Sequence, residues 1–133
     1  MKAEDLMIGD WVLCSKSGKS NPTPGKITAI EYNSWDGEDY FCDWVYVEGW
    51  DEVSPLDIFP IPLTPEILMK NHWIGHRGSW LHRHCDFLIC QYEDRTYDLY
   101  FDGDKDSGYI TIRFVHELQH ALKLCGIDIK IVI

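Results

Sequence analysis

Residues 114–126 read FVHELQHALKLCG, and here the hydrophobic period of the chain changes. At 3.6 residues per turn, Phe114, Val115, Leu118, Ala121, Leu122 and Cys125 fall on one side of a helix, a stripe of roughly 120°. Gly126 supplies a natural C-terminal stop. The runs before this stretch have the period and composition of strands: Ser79–His84, Phe87–Tyr92, Thr96–Phe101 and Tyr109–Arg113. Asp102–Gly108 is a polar turn that closes a hairpin. After the helix, Ile127–Ile133 alternates apolar and polar positions and reads as a last strand. One helix set among antiparallel strands predicts an α+β unit.

Moving toward the N-terminus, Pro55, Pro60, Pro62 and Pro65 punctuate the chain and mark a junction. Thr64 suits an N-cap and Pro65 the first helical position, so a short helix is expected over Pro65–Asn71. Upstream the chain reads as short strands: Asp10–Ser15, Gly25–Asn33, Tyr40–Glu48 and a piece near Trp50–Val53. Gly, Pro, Asn and Asp separate them. The pattern IGDWV…GKITAI…VYVEGW resembles an SH3-like β-barrel. The expected organisation is an N-terminal barrel over 1–62, then an α+β unit over 63–133. The second unit comprises a short helix, antiparallel strands, and the C-terminal helix and strand.

The 133 residues, 45% hydrophobic and 14% aromatic, exclude general disorder. No apolar run approaches the ~20 residues of a membrane span. No export signal is visible at the start, so a soluble, cytoplasmic protein is expected. The five cysteines are odd in number and include no C-x-x-C, which argues against a disulfide framework. The net charge of −10 is uneven: residues 1–63 hold 4 Lys or Arg against 12 Asp or Glu, and no Lys or Arg lies between Lys26 and Lys70. Such a surface repels phosphate backbones and argues against direct nucleic-acid binding. It attracts a basic partner, or imitates nucleic acid.

Where acid and aromatic residues mix, the chemistry is specific. Trp35, Tyr40, Phe41, Trp44, Tyr46 and Trp50 sit among Asp36, Glu38, Asp39, Asp43, Glu48, Asp51 and Glu52. Ring faces edged by carboxylates hold Lys or Arg side chains. Trp35, Asp36, Glu38, Asp39, Trp44 and Trp50 are the candidate binding residues, with Asp36, Glu38 and Asp39 expected in an exposed loop.

His116-Glu117-Leu118-Gln119-His120 matches H-E-x-x-H, in which two His on one helical face hold zinc and the Glu is general base. The alternative function is therefore a zinc-dependent hydrolase with His116 and His120 as ligands and Glu117 as base. Against it, no third ligand follows in the chain. The helical wheel also puts His116 and His120 opposite the apolar stripe, facing solvent. His82, His84, Cys85 and Cys90 form a second imidazole and thiolate group. Asp102, Asp104 and Asp106 begin like a calcium loop, but Ser107 and Arg113 stand where Gly and a bidentate Glu belong. No Gly-rich phosphate loop and no G-x-S-x-G elbow is present, so no cofactor is expected.

Ile61-Pro62-Leu63-Thr64-Pro65-Glu66-Ile67-Leu68 and Phe114–Gly126, with the barrel-like start, resemble uncharacterised small proteins of gut Bacteroides-type bacteria, their phages and mobile elements. That family has no established activity, so the resemblance transfers no functional residue. Its members often read His-Gln-Leu-Gln-Asn where this chain has His116–His120, which implies that the helix is kept while the base and one ligand are not. The expectation is a non-catalytic interaction module of a bacterium or phage, with an acidic aromatic surface for a basic protein partner. A third class is an acidic nucleic-acid mimic of the phage counter-defence type.

Overall fold

The computed structural model describes residues 1–15, 21–35, 41–101 and 108–133, and of 33–35, 41 and 42 the backbone alone. Two compact units emerge, Met1–Ile61 and Pro62–Ile133. The architecture is α+β: two five-stranded antiparallel sheets, one in each unit, and two α-helices.

The first unit contains β1 (Trp11–Cys14), β2 (Thr23–Trp35), β3 (Phe41–Val47), β4 (Glu52–Val53) and β5 (Ile58–Pro60) in the order β4-β3-β2-β1-β5. The long β2 serves two partners. Its start, Thr23–Lys26, pairs with β1, and its remainder pairs with β3 across two register shifts. Between β4 and β5 lies a single 3-10 turn, Pro55–Asp57, capped by the Ser54 hydroxyl accepting from the Leu56 N–H. The expected barrel is not closed by strand pairing. β4 has two residues and β5 three, and β5 pairs with β1 rather than with β4. Alternation fills the interior: Val12 and Cys14 from β1, Val45 and Val47 from β3, with Ile27, Val53, Ile58 and Leu6. Each large aliphatic chain buried this way is worth about 1.5–3 kcal/mol of transfer energy. Burial first, and Asp57 second, push the Cys14 thiol up to about 11, so it stays protonated and serves as a small apolar residue.

In the second unit, Thr64 caps α1 (Pro65–Lys70), its hydroxyl accepting from the Ile67 N–H at 3.3 Å, with Pro65 in the first turn. A meander follows: β6 (Trp73–His76), β7 (Ser79–His82), β8 (Leu88–Glu93), β9 (Thr96–Tyr100) and β10 (Tyr109–Ile112), ordered β10-β9-β8-β7-β6. One face of this sheet is interior, with Trp73, Trp80, His82, Ile89, Tyr97, Leu99 and Ile112 buried. On the other face the register aligns two rows across all five strands. Ile74, Leu81, Leu88, Tyr100 and Tyr109 make an apolar row; His76, Ser79, Cys90, Asp98 and Thr111 make a polar one. In the polar row the Thr111 hydroxyl donates to Asp98 Oδ1 at 3.0 Å.

Helix α2 (Val115–Leu124) departs from its expected orientation. Val115, His116, Leu118, Ala121 and Leu122 are all buried. At 100° per residue they span roughly 220°, not a narrow stripe. Cys125, expected to pack inside, is exposed because the helix ends at Leu124 and Cys125 is its C-cap. The expected strand over Ile127–Ile133 carries no ladder. A side chain takes the ladder's place: Asn71 Oδ1 accepts from the Val132 N–H and Asn71 Nδ2 donates to the Val132 carbonyl, at 2.8 and 2.7 Å. A carboxamide offers the same donor and acceptor as a peptide, so one residue is satisfied without a neighbouring strand.

Candidate binding surface

Strand β3 places Trp44 and Tyr46 on the face opposite Val45 and Val47, and the latter pair is buried. Register then decides which acids join them. Glu31 of β2 stands directly across from Trp44, and Glu52 of β4 directly across from Tyr46. The Tyr46 hydroxyl donates to Glu52 Oε1 at 2.9 Å. This bond to Glu52, with smaller contributions from burial and from Glu31, pushes the Tyr46 phenol up to about 12. The phenol therefore remains a neutral donor between two carboxylates at all physiological pH values. Thr28 Oγ1 donates to the Tyr46 carbonyl and ties β2 to β3 beside this point. The result is two half-exposed rings flanked by two exposed carboxylates on one sheet face. The same unit contains an internal instance of the chemistry: Lys26 Nζ sits 5.1 Å over the Trp11 ring.

The candidate residues distribute unevenly. Trp44 belongs to the patch. Trp50 is half-buried and packs against the core cluster; it stands over Gly25, where a Cβ would come within 3.7 Å of Trp50 Cδ1. The backbone of Trp35 ends β2, while Asp36, Glu38 and Asp39 lie outside the described residues, as do Asp102, Asp104 and Asp106. Glu31 was not among the candidates. Its place between Ile30 and Tyr32 shows a strand position, but only the pairing register shows that it meets Trp44.

The H-E-x-x-H segment forms a helix, yet its parts do not face as expected. His116 is buried, 7% exposed, and stacks on Phe114 with centroids 5.9 Å apart and planes 13° from parallel. His120 is half-exposed, its ring edge-on to His116 at 5.6 Å. Thus His116 does not face solvent: the wide buried arc of α2 includes it. Glu117 Oε2 accepts the backbone N–H groups of Arg113 and Phe114 at 2.6 and 3.1 Å. That is the N3 carboxylate of a helix N-terminus, satisfying donors the helix leaves open. Two backbone donors on the same oxygen compete with any role as a base. Glu117→Ala should cost about 0.5–2 kcal/mol in urea unfolding, as lost N-terminal caps do. Glu117→Gln, which keeps an acceptor oxygen, should cost less.

The second imidazole and thiolate group is split by the sheet. His82 lies on the interior face, whereas Cys90 lies on the outer face with its Sγ 3.5 Å from Ser79 Oγ. Among the described residues no three His, Cys, Asp or Glu side chains are grouped to hold a metal ion. No helix among them is long and apolar enough to cross a membrane. The chain matches no protein-family model, no curated protein and no solved structure.

Proposed function

We propose that the protein is a non-catalytic interaction module that takes a Lys- or Arg-rich protein segment on the outer face of its first sheet. The observation that carries this reading is the grouping of Trp44 and Tyr46 with Glu31 and Glu52, including the Tyr46–Glu52 hydrogen bond. A guanidinium or ammonium stacked on Trp44 would find Glu31 beside the ring. It would gain both a cation–π contact and a charge-assisted bond. The acidic excess of residues 1–63 adds a long-range attraction that speeds encounter and weakens with salt. The strand order β4-β3-β2-β1-β5, with one 3-10 turn between the fourth and fifth strands, supports an SH3-like scaffold for this surface. A cytoplasmic module of a bacterium or its phage fits the resemblance noted from the sequence.

The test is titration of the intact protein with an Arg-rich peptide, read by tryptophan fluorescence and by amide chemical shifts. Saturable binding that weakens with salt is expected, with shifts centred on Glu31, Trp44, Tyr46 and Glu52. Trp44→Ala should weaken it about 3- to 10-fold, the range of an exposed to partly desolvated cation–π contact. Glu66→Gln, on α1 of the second unit, should change nothing. If the paired change Glu31→Gln/Glu52→Gln weakens binding while Trp44→Ala does not, the surface acts by charge alone. The acidic-mimic reading then replaces this one.

A further inference from the structure

His82, at the end of β7, is 4% exposed. Its Nδ1 accepts the His84 backbone N–H at 3.0 Å, which assigns the proton of the neutral ring to Nε2. That Nε2 is buried and meets no acceptor in full hydrogen-bond geometry, although the Asn71 backbone carbonyl lies near enough to the ring to favour its protonated form. Trp73 stands directly across from His82 in the β6–β7 register, its ring 4.9 Å away, and its buried Nε1 also lacks a partner. Native interiors leave few such donors unmet, so this corner is held by a narrow margin.

Two further imidazoles crowd it. The His84 ring is 5.8 Å from His82, and the His72 ring is 6.0 Å from His84. Both are exposed. They are the charged or titratable groups that bear on His82, and both oppose its protonation; only the Asn71 backbone carbonyl favours it. On the adjoining connector Arg83 and Asp86 are exposed, and burial pushes the half-buried Cys85 thiol up, keeping it neutral. A second proton on His82 must enter at Nδ1. The His84 N–H then loses its acceptor and faces another donor, and a cation stands in an apolar interior.

The corner also anchors the end of the chain. His72 follows Asn71, adopts a left-handed φ of 68°, and accepts the Arg83 N–H on its carbonyl at 3.1 Å. Asn71 is buried and holds Val132 through both its amide atoms, while Lys70 Nζ donates to the Ile133 carbonyl at 2.9 Å.

We propose that buried His82, crowded by His72 and His84, is an acid-sensitive latch at the β6–β7 corner, and that its protonation frees the C-terminal segment held by Asn71. The sign follows from burial, which acts first, and from the neighbouring imidazoles, which together hold His82 below the ordinary histidine value. The unfolded chain takes its proton near pH 6.5 while the folded corner resists it. The contribution of the corner is therefore complete above that pH and declines as pH falls through the unfolded value toward the folded one.

Hydrogen exchange of the intact protein, corrected for intrinsic rates, tests this at pH 7.5 and 5.0. Protection of the His84 and Val132 amides should fall at least tenfold relative to the Val45 amide in the first unit. Asn71→Ala should free Val132 at both pH values. The paired change His72→Gln/His84→Gln, at exposed positions that leave the backbone bond intact, should shrink the fall, because it removes two groups that oppose protonation of His82. His82→Phe should abolish the step. Flat protection in the unaltered protein overturns the proposal. So does a fall of unchanged size in the paired variant, a result that decides the matter even if His82→Phe does not fold.

Discussion

Leu118→Ala should lower the unfolding free energy by about 2–5 kcal/mol. Leu118 is 1% exposed and sits within the roughly 220° buried arc of α2, between Ala121 and Leu122 on the helical wheel. Truncation removes the Cγ methine and two methyl carbons and leaves a hole that neighbours on both sides cannot easily fill. Urea unfolding followed by far-ultraviolet circular dichroism measures it. The two histidines of the same helix give the internal comparison. His120→Ala, at a half-exposed position, should stay within about 0.5 kcal/mol, as surface changes do. His116→Ala should cost more than His120→Ala, because His116 is buried against Phe114. Equal losses at the two histidines, or melting that depends on added zinc and is abolished by either change, would restore the zinc reading of this helix.

Gly75→Val should destabilise the second unit by about 1–3 kcal/mol if Trp80 shifts aside, and by about 3–5 kcal/mol if its ring is expelled. Gly75 pairs directly with Trp80 in the β6–β7 register. A Cβ on Gly75 would come within 2.2 Å of Trp80 Nε1 and 2.4 Å of Cδ1, closer than real contacts allow. The obstacle is the edge of a buried indole ring, 7% exposed, whose opposite neighbour is Tyr97 at 5.9 Å, so it has little room to yield. Val is otherwise a favourable strand residue, so any loss isolates the clash. The check is a double-mutant cycle with Trp80→Leu. Removing the ring should cancel most of the penalty of Gly75→Val, giving strong non-additivity. Additive losses would show that the indole does not rest on this glycine.

Local rules decided what the sequence could decide alone. Thr64 and Pro65 start a helix because a hydroxyl and a missing N–H suit that place in any fold. The change from period two to 3.6 near Phe114 marks the last helix, and the proline cluster marks where one unit gives way to the next. Alternation in YFCDWVYVE separates Val45 from Trp44 and Tyr46, but which face is interior comes from the structure, where Val45 and Val47 are buried. Pairing decided the rest. That Glu31 and Glu52 meet Trp44 and Tyr46 depends on the register between strands far apart in sequence, and a one-residue slip would send every side chain to the other face. Glu117 looks like a catalytic base in the linear motif; only the fold shows its carboxylate turned back onto the N–H groups of Arg113 and Phe114. The wheel of α2 marks one apolar stripe, but an interior that wraps the helix buries His116 as well, because burial follows the neighbours a position meets and not its polarity alone. The end of the chain makes the same point. Ile127–Ile133 alternates like a strand, yet a strand needs a partner, and the tertiary structure supplies the side chain of Asn71 instead.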